Sequence, residues 1–266
     1  MTRVAVEPGV ELACRTAGSG PTLLFHPGFS LTLDLWNSTV AELASTHRCV
    51  TFDPRGHGSS DKPDSEYTVA ELARDVMALV ERLELREVTL VGHSLGGAAC
   101  LEAVLDHDDA HRVSGLMLLA PAVPRLVRAG DGEFGAPADA ITGLGQAMRA
   151  DFVGTQLGSA AALFHRTPPE TVRWLLEKTL DMPVHIAARL FGRLPHLEYA
   201  DRLAEVKVPS LVVWGRQDQI GDPRWLGWFG EHVPDWRTAE LAESGHCPMT
   251  DQPGELAELL RGFAGS

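Results

Sequence analysis

The sequence predicts an α/β fold built on a mostly parallel sheet. Short apolar and β-branched runs alternate with helical patterns over most of the 266 residues, which is typical of such sheets. Hydrophobic residues make up 44% of the chain and charged residues 22%, close to the average of globular proteins. A chain of this length buries a sizeable core without disulfides or metals. We therefore expect one or two compact domains.

The first half of the chain contains six predicted strands and three predicted helices. The first two strands, VAVE and VELACRT, form a pair around the turn Pro8–Gly9. Thr68 and Glu71 form a capping box at the start of the second helix. The other elements, in chain order, are a strand at 22–28, a helix at Leu33–Ala44, a strand that starts at 48 and runs into a Gly-rich loop ending at 60, a helix at 68–83, a strand at 88–94, a helix directly after it and a strand at 113–122.

The alternation of predicted strands and helices stops in the middle of the chain. Residues 121–200 contain no strand-like run and indicate several helices broken by Gly and Pro. The strand pattern returns at 209–215, followed by a helix at 223–233, a weak strand at 236–241 and a helix at 253–263. We therefore expect one core, residues 1–120 and 201–266, with a helical insertion, residues 121–200. The insertion has eight acidic and eight basic residues, so the core carries the whole net charge.

Charge and cysteine usage exclude several classes of function. The net charge is −13, which repels phosphate backbones and acidic membrane surfaces, so we expect no nucleic-acid and no membrane partner. No run of 18 apolar residues is present, and the N-terminus lacks the apolar core of a signal peptide. Four scattered cysteines form no disulfide framework and no zinc cluster. We expect a cytoplasmic bacterial protein.

The strongest chemical signal is the run GHSLGG at 92–97. A G-x-S-x-G directly after an apolar strand and before a helix forms a sharp turn with Ser94 at its apex. Side chains at 92 or 96 would collide with neighbouring backbone, which explains the glycines. The following helix directs its N-terminal N–H groups at the turn, where they stabilise a developing oxyanion. This context predicts that Ser94 is a nucleophile.

A serine hydroxyl needs a base and an acid that orients the base. With this motif the chain order is Ser, then Asp or Glu, then His. Asp218 follows the strand at 209–215, and His246 lies in the loop ESGHC just before the last helix. Ser94, Asp218 and His246 are therefore the predicted catalytic triad.

Three nearby residues compete for roles in this site. Asp222 is four residues beyond Asp218, but we interpret it as a helix N-cap before Pro223. His93 is expected to point away from the nucleophile and to pack under the turn. Cys247 is interpreted as a packing residue, because Ser94 already takes the place of the nucleophile.

The second donor of an oxyanion hole is expected from the loop HPGF at 26–29. We predict that the backbone N–H groups of Phe29 and Leu95 form the hole, and that Phe29 is also a wall of the pocket. Trp36 and Trp174 are further candidates for substrate contact. Other candidate wall residues are Met148, Phe152, Phe164 and Phe191.

Together these motifs resemble the α/β-hydrolase superfamily, in particular its esterase, lactonase and cofactor-free haloperoxidase-like branch. HPGF, DPRGHGSS, GHSLGG, GRQD and SGHCP occur in the family's order and spacing over nearly the whole chain. The resemblance implies a mostly parallel eight-stranded sheet with helices on both faces, and a cap formed by residues 121–200. It also implies structural roles for Asp53, Arg55 and His57. Many relatives carry His-Gly where this chain has Pro27–Gly28.

The predicted activity is that of a serine hydrolase acting on a small, largely apolar ester, lactone or thioester through an acyl-enzyme. The expected partner is a small-molecule substrate, with no metal and no organic cofactor. Alternatives on the same triad are perhydrolase or haloperoxidase-like activity, a carbon–carbon bond hydrolase and a lyase. A further alternative is a non-catalytic small-molecule binding protein of this fold. The sequence leaves the oligomeric state open.

Overall fold

The computed structural model describes residues 1–128 and 134–264 of the chain, which form one eight-stranded sheet. The strand order across the sheet is β1-β2-β4-β3-β5-β6-β7-β8. The strands are β1 (Thr2–Glu7), β2 (Val10–Ala17), β3 (Thr22–His26), β4 (Arg48–Phe52), β5 (Val88–His93), β6 (Val113–Leu119), β7 (Ser210–Gly215) and β8 (Arg237–Leu241).

The sheet is antiparallel at one edge and parallel elsewhere. β1 pairs with β2 and β2 pairs with β4 in antiparallel register, whereas each pair from β4 through β8 is parallel. All the predicted strands are present, and the predicted α/β-hydrolase fold with a mostly parallel eight-stranded sheet is confirmed. Because the carboxyl ends of β3 to β8 lie at one edge, the loops that follow these strands meet there.

Helices cover both faces of the sheet. In chain order they are α1 (Asn37–Leu43), α2 (Val69–Arg82), α3 (Leu95–Asp106), α4 (Ala138–Ala150), α5 (Phe152–Gly158), α6 (Ala160–Leu163), α7 (Pro169–Thr179), α8 (Val184–Arg193), α9 (Trp225–His232), α10 (Pro248–Asp251) and α11 (Pro253–Ala264). Helices α2, α3 and α9 pack on one face, and α1 and α11 pack on the other.

The core follows from the alternation of side chains along the strands. The paired residues Leu24 and Leu90 belong to the apolar cluster under α2 and α3. Their neighbours Phe25 and Val91 are also paired and belong to the cluster under α1 and α11. Each central strand is therefore apolar on both faces, which explains why these runs read as continuous apolar stretches in the sequence.

The start of α2 has the capping box that the sequence predicts. The Thr68 hydroxyl accepts from the N–H of Glu71 at 3.1 Å, and the Glu71 carboxylate accepts from the N–H of Thr68 at 2.8 Å. This capping box satisfies two N–H groups that the helix leaves free. The predicted helix at Leu33–Ala44 differs, because its first turn, Leu33–Trp36, is a 3-10 helix that precedes α1.

The helical insertion lies between β6 and β7 and contains α4 to α8. Its described residues form helices and turns together with one isolated β-bridge, between Val127 and Ala136. In the parts of the chain that the structure describes, no helix is both long and apolar enough to cross a membrane.

A buried ion pair holds the loop that follows β4 against helix α2. Two guanidinium nitrogens of Arg55 donate to the two carboxylate oxygens of Asp75, each at 2.6 Å. Both residues are almost fully buried, and Glu71 and Glu7 lie 3.5 and 3.0 Å from the same guanidinium. A bidentate pair of this kind holds the loop in one orientation.

We predict that Asp75→Ala lowers the free energy of unfolding by about 3 kcal/mol, because it leaves the buried Arg55 charge without its main partner. Urea unfolding at neutral pH measures this change. The double variant Arg55→Met/Asp75→Leu is the control, and it is expected to cost less than Asp75→Ala alone because no charge stays buried. A loss below about 1 kcal/mol for Asp75→Ala contradicts the prediction.

Candidate active site

Ser94 occupies a strained turn between β5 and α3. Its backbone angles are φ 52° and ψ −118°, a region that residues with a side chain rarely adopt. A Cβ added at Gly92 would lie 2.5 Å from the carbonyl oxygen of Gly96. The glycines are therefore required by backbone contact across the turn, as the sequence predicts.

The loop after β3 packs directly on this turn. A Cβ at Gly96 would lie 2.5 Å from the carbonyl oxygen of Pro27, and one at Gly28 would lie 3.1 Å from the Cβ of Ser94. Phe29 follows in this loop, and Leu95 is the first residue of α3. Among the described residues, no acceptor is bonded to the backbone N–H of Phe29 or of Leu95. Both residues belong to the two segments that pack together at Ser94, and their N–H groups are the candidate oxyanion donors of the site.

Asp218 and His246 meet beside this turn. The Nδ1 of His246 and the Oδ2 of Asp218 are 2.8 Å apart, and both residues are buried. The indole N–H of Trp214 donates to the same oxygen at 2.8 Å. The backbone N–H groups of Ile220 and Gly221 donate to Oδ1 at 2.8 and 3.0 Å. The carboxylate is thus fully engaged and directs the imidazole.

The charge state of Asp218 follows from these contacts. Burial by itself raises the pKa of the carboxyl group. The attraction and hydrogen bond of His246, together with the two backbone N–H donors, outweigh burial, and the net pKa lies below its ordinary value. Asp218 is therefore ionised at neutral pH.

The competing acid, Asp222, has other partners. Its carboxylate accepts from the backbone N–H of Arg224 at 3.1 Å and pairs with the guanidinium of Arg224 at 2.6 Å. The hydrogen bond from that side chain lowers the pKa of Asp222. The N-cap of α9 is Arg224, so Asp222 bonds the turn before the helix and is not its N-cap as predicted. Asp218 is the acid that contacts His246.

Ser94 and His246 line one cavity of about 290 Å³ between the sheet edge and the helical insertion. The walls are mostly apolar. They are contributed by Phe29, Ser30, Leu31, His93, Ala122, Leu126, Ala140, Ile141, Leu144, Met148, Thr155, Gln156, Ser159, Leu163, Phe191, Leu194, Gln219 and Ile220. Among the described residues of the wall there is no Asp, Glu, Lys or Arg. The cavity therefore favours an uncharged ligand.

The structure brings two of the predicted wall residues together and corrects others. The rings of Phe29 and Phe191 meet edge to face across the cavity at 5.5 Å. Trp36 is fully buried in the core, 4.9 Å from the ring of Phe25, and does not line the cavity. Trp174 is 38% exposed on α7 and does not line it either. Of the remaining candidates Met148 is a wall residue, whereas Phe152 and Phe164 pack in the core.

His93 has a contact that sequence reasoning missed. It is buried under the turn as expected, but its Nε2–H donates to the backbone oxygen of His246 at 2.9 Å. The two imidazole rings are 4.8 Å apart. His93 therefore holds the loop of His246 against the turn of Ser94.

The loop that carries Phe29 is fixed by two further residues that the sequence did not single out for this role. The N–H of Ser30 donates to Nε2 of His57 at 3.2 Å, and Nδ1 of His57 bonds the carbonyl oxygen of Arg55 at 2.9 Å. The side-chain amide of Gln156 donates to the hydroxyl of Ser30 at 2.6 Å. This last bond connects α5 of the helical insertion to the loop.

The residues Asp53, Arg55 and His57 all contact backbone or other core side chains. The Asp53 carboxylate accepts from the N–H groups of Leu33 and Ser59, each at 2.8 Å. These contacts agree with the structural roles that the family resemblance implies.

The cysteines of the chain are buried thiols. All four cysteines are free and buried, and burial raises the pKa of the Cys247 thiol well above its ordinary value. In the described parts of the chain, no group of His, Cys, Asp and Glu side chains has the arrangement of a metal site.

The arrangement brings together the candidates for acyl transfer. Ser94 lies at the apex of a strained turn, and an imidazole bonded to an ionised carboxylate lines the same cavity. Acyl transfer requires a nucleophile, a base and oxyanion donors, and these residues are the candidates for those roles.

Comparison with known proteins defines the class of this chain. Residues 21–253 match the family model described as alpha/beta hydrolase fold. The chain therefore belongs to the alpha/beta hydrolase fold family, which confirms the resemblance seen in the sequence.

Individual relatives agree with this family over nearly the full length. The AB hydrolase superfamily protein YisY of Bacillus subtilis (strain 168) is 26% identical over 265 residues, covering 99% of this chain and 98% of that protein. A pimeloyl-[acyl-carrier protein] methyl ester esterase of Aeromonas hydrophila is 26% identical, covering 93% of this chain and 97% of that protein. The solved structure of an esterase from Exiguobacterium antarcticum superposes with a TM-score of 0.93 at 24% identity, covering 100% and 99% of the two chains.

Buried histidines around the site predict a loss of stability in acid. Burial lowers the pKa of His26 and His93 to about 3 and that of His57 to about 4. The unfolded chain takes up these protons near pH 6.5, whereas the folded chain does not. The stability that the neutral rings contribute is present above pH 6.5 and is lost as the pH falls below it. Each histidine makes the free energy of unfolding fall by up to about 1.4 kcal/mol for each pH unit below 6.5.

Urea unfolding between pH 7 and 5 measures this slope in the wild type and in His26→Asn. The asparagine amide retains a donor for the Pro27 carbonyl, which His26 bonds at 2.7 Å, but has no titrating group. The slope is expected to become shallower in this variant and to stay unchanged in the control His196→Asn, whose side chain is exposed. Equal slopes in all three proteins contradict the prediction.

Proposed function

We propose that this chain is a serine hydrolase that cleaves the ester, lactone or thioester bond of a small, uncharged and largely apolar molecule. The observation that carries the proposal is the 2.8 Å contact between His246 and the ionised Asp218 beside a cavity that Ser94 also lines. A buried histidine bonded to a carboxylate is held in one tautomer and is ready to accept a proton at its other nitrogen.

In the first half of the proposed reaction, the Ser94 hydroxyl attacks the acyl carbonyl as Nε2 of His246 takes its proton. Asp218 stabilises the imidazolium that forms. The tetrahedral oxyanion is bound by the N–H groups of Phe29 and Leu95, and the second of these adds the positive end of the α3 dipole. The leaving alcohol or thiol departs with the proton from His246, and the acyl group stays on Ser94.

In the second half, water attacks the acyl-enzyme. His246 removes a proton from this water and returns it to Ser94 as the tetrahedral intermediate collapses. The carboxylic acid is released, and the hydroxyl and the neutral imidazole are restored. Every proton is transferred through His246, so the reaction needs no further acid or base.

The substrate class rests on the walls of the cavity. A volume of about 290 Å³ is small for a ligand site, and the wall has apolar side chains from the loop after β3 and from the helical insertion. A charged substrate would lose its hydration without gaining a charged partner. The methyl ester esterase of Aeromonas hydrophila, which matches this chain over 97% of its own length, is named for ester cleavage. This similarity supports ester cleavage here.

We predict that a fluorophosphonate probe labels the wild-type protein and that Ser94→Ala abolishes the labelling. His246→Ala is expected to abolish labelling within the same time, because the hydroxyl then lacks its base. In-gel fluorescence measures the result. A wild-type protein that stays unlabelled although a small ligand binds in its cavity would falsify the hydrolase proposal and favour a binding protein.

The choice of acid is tested by a matched pair of substitutions. Asp218→Asn is expected to lower kcat by about 10³- to 10⁴-fold, because the amide no longer holds the imidazole in the required tautomer. Asp222→Asn is expected to change kcat by less than about threefold, since among the described residues the Asp222 carboxylate bonds Arg224 and not His246. Steady-state hydrolysis of a p-nitrophenyl ester measures both. The opposite ranking means that Asp222 is the acid.

The preference for uncharged substrates is tested with two esters of equal chain length. We predict that p-nitrophenyl butyrate is cleaved with a kcat/KM about 100-fold above that of the p-nitrophenyl monoester of succinic acid, whose acyl chain ends in a carboxylate. Initial rates at one pH and ionic strength measure the ratio. Equal kcat/KM values contradict an uncharged binding cavity, although they leave the serine mechanism intact.

A further inference from the structure

A buried carboxylate outside the proposed triad lies at the end of α10. Asp251 is 9% exposed and accepts hydrogen bonds at 2.6 to 3.1 Å from two separate parts of the chain. The donors are the backbone N–H groups of His165, Arg166, Thr167 and Gly245 and the hydroxyl of Thr167. Three consecutive N–H groups of the helical insertion therefore bond the Asp251 carboxylate, which also accepts from the N–H of Gly245, the residue before His246.

The loop of His246 is held by backbone hydrogen bonds on both sides of the histidine, one to Asp251 and one to the helical insertion. On one side, the N–H of Gly245 donates to Oδ2 of Asp251 at 2.8 Å. On the other, the N–H of Cys247 donates to the carbonyl oxygen of Leu163 at 3.1 Å. A Cβ added at Gly245 would lie 3.2 Å from the same carbonyl oxygen, so the two backbones are in direct contact.

The carboxylate is stabilised by backbone dipoles. The nearby guanidinium of Arg166 pairs with Glu243, at 3.6 Å, while the N–H of Arg166 bonds Asp251 at 2.9 Å. Several N–H groups converging on one ionised carboxylate form strong, directional bonds. An amide at this position has a single acceptor oxygen, and its NH₂ group would face N–H donors. The arrangement therefore needs a carboxylate.

We propose that Asp251 is a positioning residue that fixes His246 relative to the cavity wall formed by the helical insertion. The proposal rests on the serine hydrolase function proposed above, in which His246 is the base. Leu163, whose carbonyl binds the N–H of Cys247, is itself a wall residue. A displacement of the segment 163–167 is thus transmitted to the histidine loop through Asp251 and through the Leu163 carbonyl.

The test compares a graded series of variants in the full-length protein. Thr167→Val removes the hydroxyl donor to Asp251 together with its bond to the Thr250 hydroxyl. Asp251→Asn exchanges the carboxylate for an amide, and Asp251→Ala removes it. Because small displacements of a catalytic group are costly, we expect kcat to fall about twofold, 10-fold and 100-fold in this order, with KM changed less than about threefold. Asp251→Glu is expected to recover part of the loss. Hydrolysis of p-nitrophenyl butyrate and the rate of fluorophosphonate labelling are both measured.

The matched control is Asp151→Asn. Asp151 also binds a backbone N–H group in the helical insertion, that of Gly154 at 2.8 Å, but it does not contact the loop of His246. It is expected to leave kcat unchanged while lowering the unfolding midpoint slightly. If Asp251→Ala does not fold at the assay temperature, Thr167→Val and Asp251→Asn provide the comparison.

Hydrogen exchange separates this proposal from the hydrolase proposal. In Asp251→Asn the amides of residues 165–167 and of Gly245 are expected to exchange faster together, and those of α2 to stay protected. A wild-type protein that neither labels nor cleaves any ester fails as a hydrolase, whereas the exchange result still tests the coupling. A folded Asp251→Ala with wild-type kcat, or an effect confined to KM or to the folded fraction, overturns the proposed positioning role.

Discussion

The site depends on close backbone contact between two loops at the carboxyl edge of the sheet. Gly96 lies against the carbonyl oxygen of Pro27 at a distance that excludes a Cβ, and a Cβ at Gly28 would be only 3.1 Å from that of Ser94. The turn after β5 and the loop after β3 are therefore one packed unit. Because the strained backbone of Ser94 is over-determined by these contacts, the serine is held at the wall of the cavity.

The chain uses its buried histidines in two ways that differ in their hydrogen-bond partner. His26, His57 and His93 each bond a backbone carbonyl oxygen with one nitrogen. Such a neutral ring gains nothing from a second proton, and burial keeps its pKa low. His246 bonds a carboxylate instead, through the 2.8 Å contact with Asp218. In the proposed reaction this carboxylate stabilises the imidazolium that forms when His246 takes the serine proton.

Much of the fold was predictable because its signals are local. The capping box at Thr68, the apolar strands and the order of Ser94, Asp218 and His246 are all visible in short stretches of sequence, and the structure has the corresponding strands and helices in the predicted order. Whether a helical residue faces the cavity is not local. The 3-10 turn at Leu33–Trp36 changes the angular spacing of its side chains, and Trp36 turns into the core against Phe25.

The remaining features depend on packing between distant parts of the chain. Trp174 precedes two buried leucines on α7, and these leucines, not the tryptophan, face the core. The bonds of Gln156 to Ser30 and of Asp251 to the segment 165–167 join residues that are far apart in sequence. No periodicity or motif marks such pairs, since each residue type is also common on an ordinary surface.

The distribution of charge indicates which ligands the cavity prefers. The net charge of −13 belongs to the core, the helical insertion is neutral, and the described wall of the cavity has no Asp, Glu, Lys or Arg. The wall therefore offers no charged partner to a substrate that carries a charge. Discrimination then comes from apolar contact, in which each buried methylene group is worth about 0.8 kcal/mol, or about a fourfold change in affinity. The cavity volume of about 290 Å³ limits how many such groups fit, so the gain in affinity from each added methylene group must end once the walls are filled.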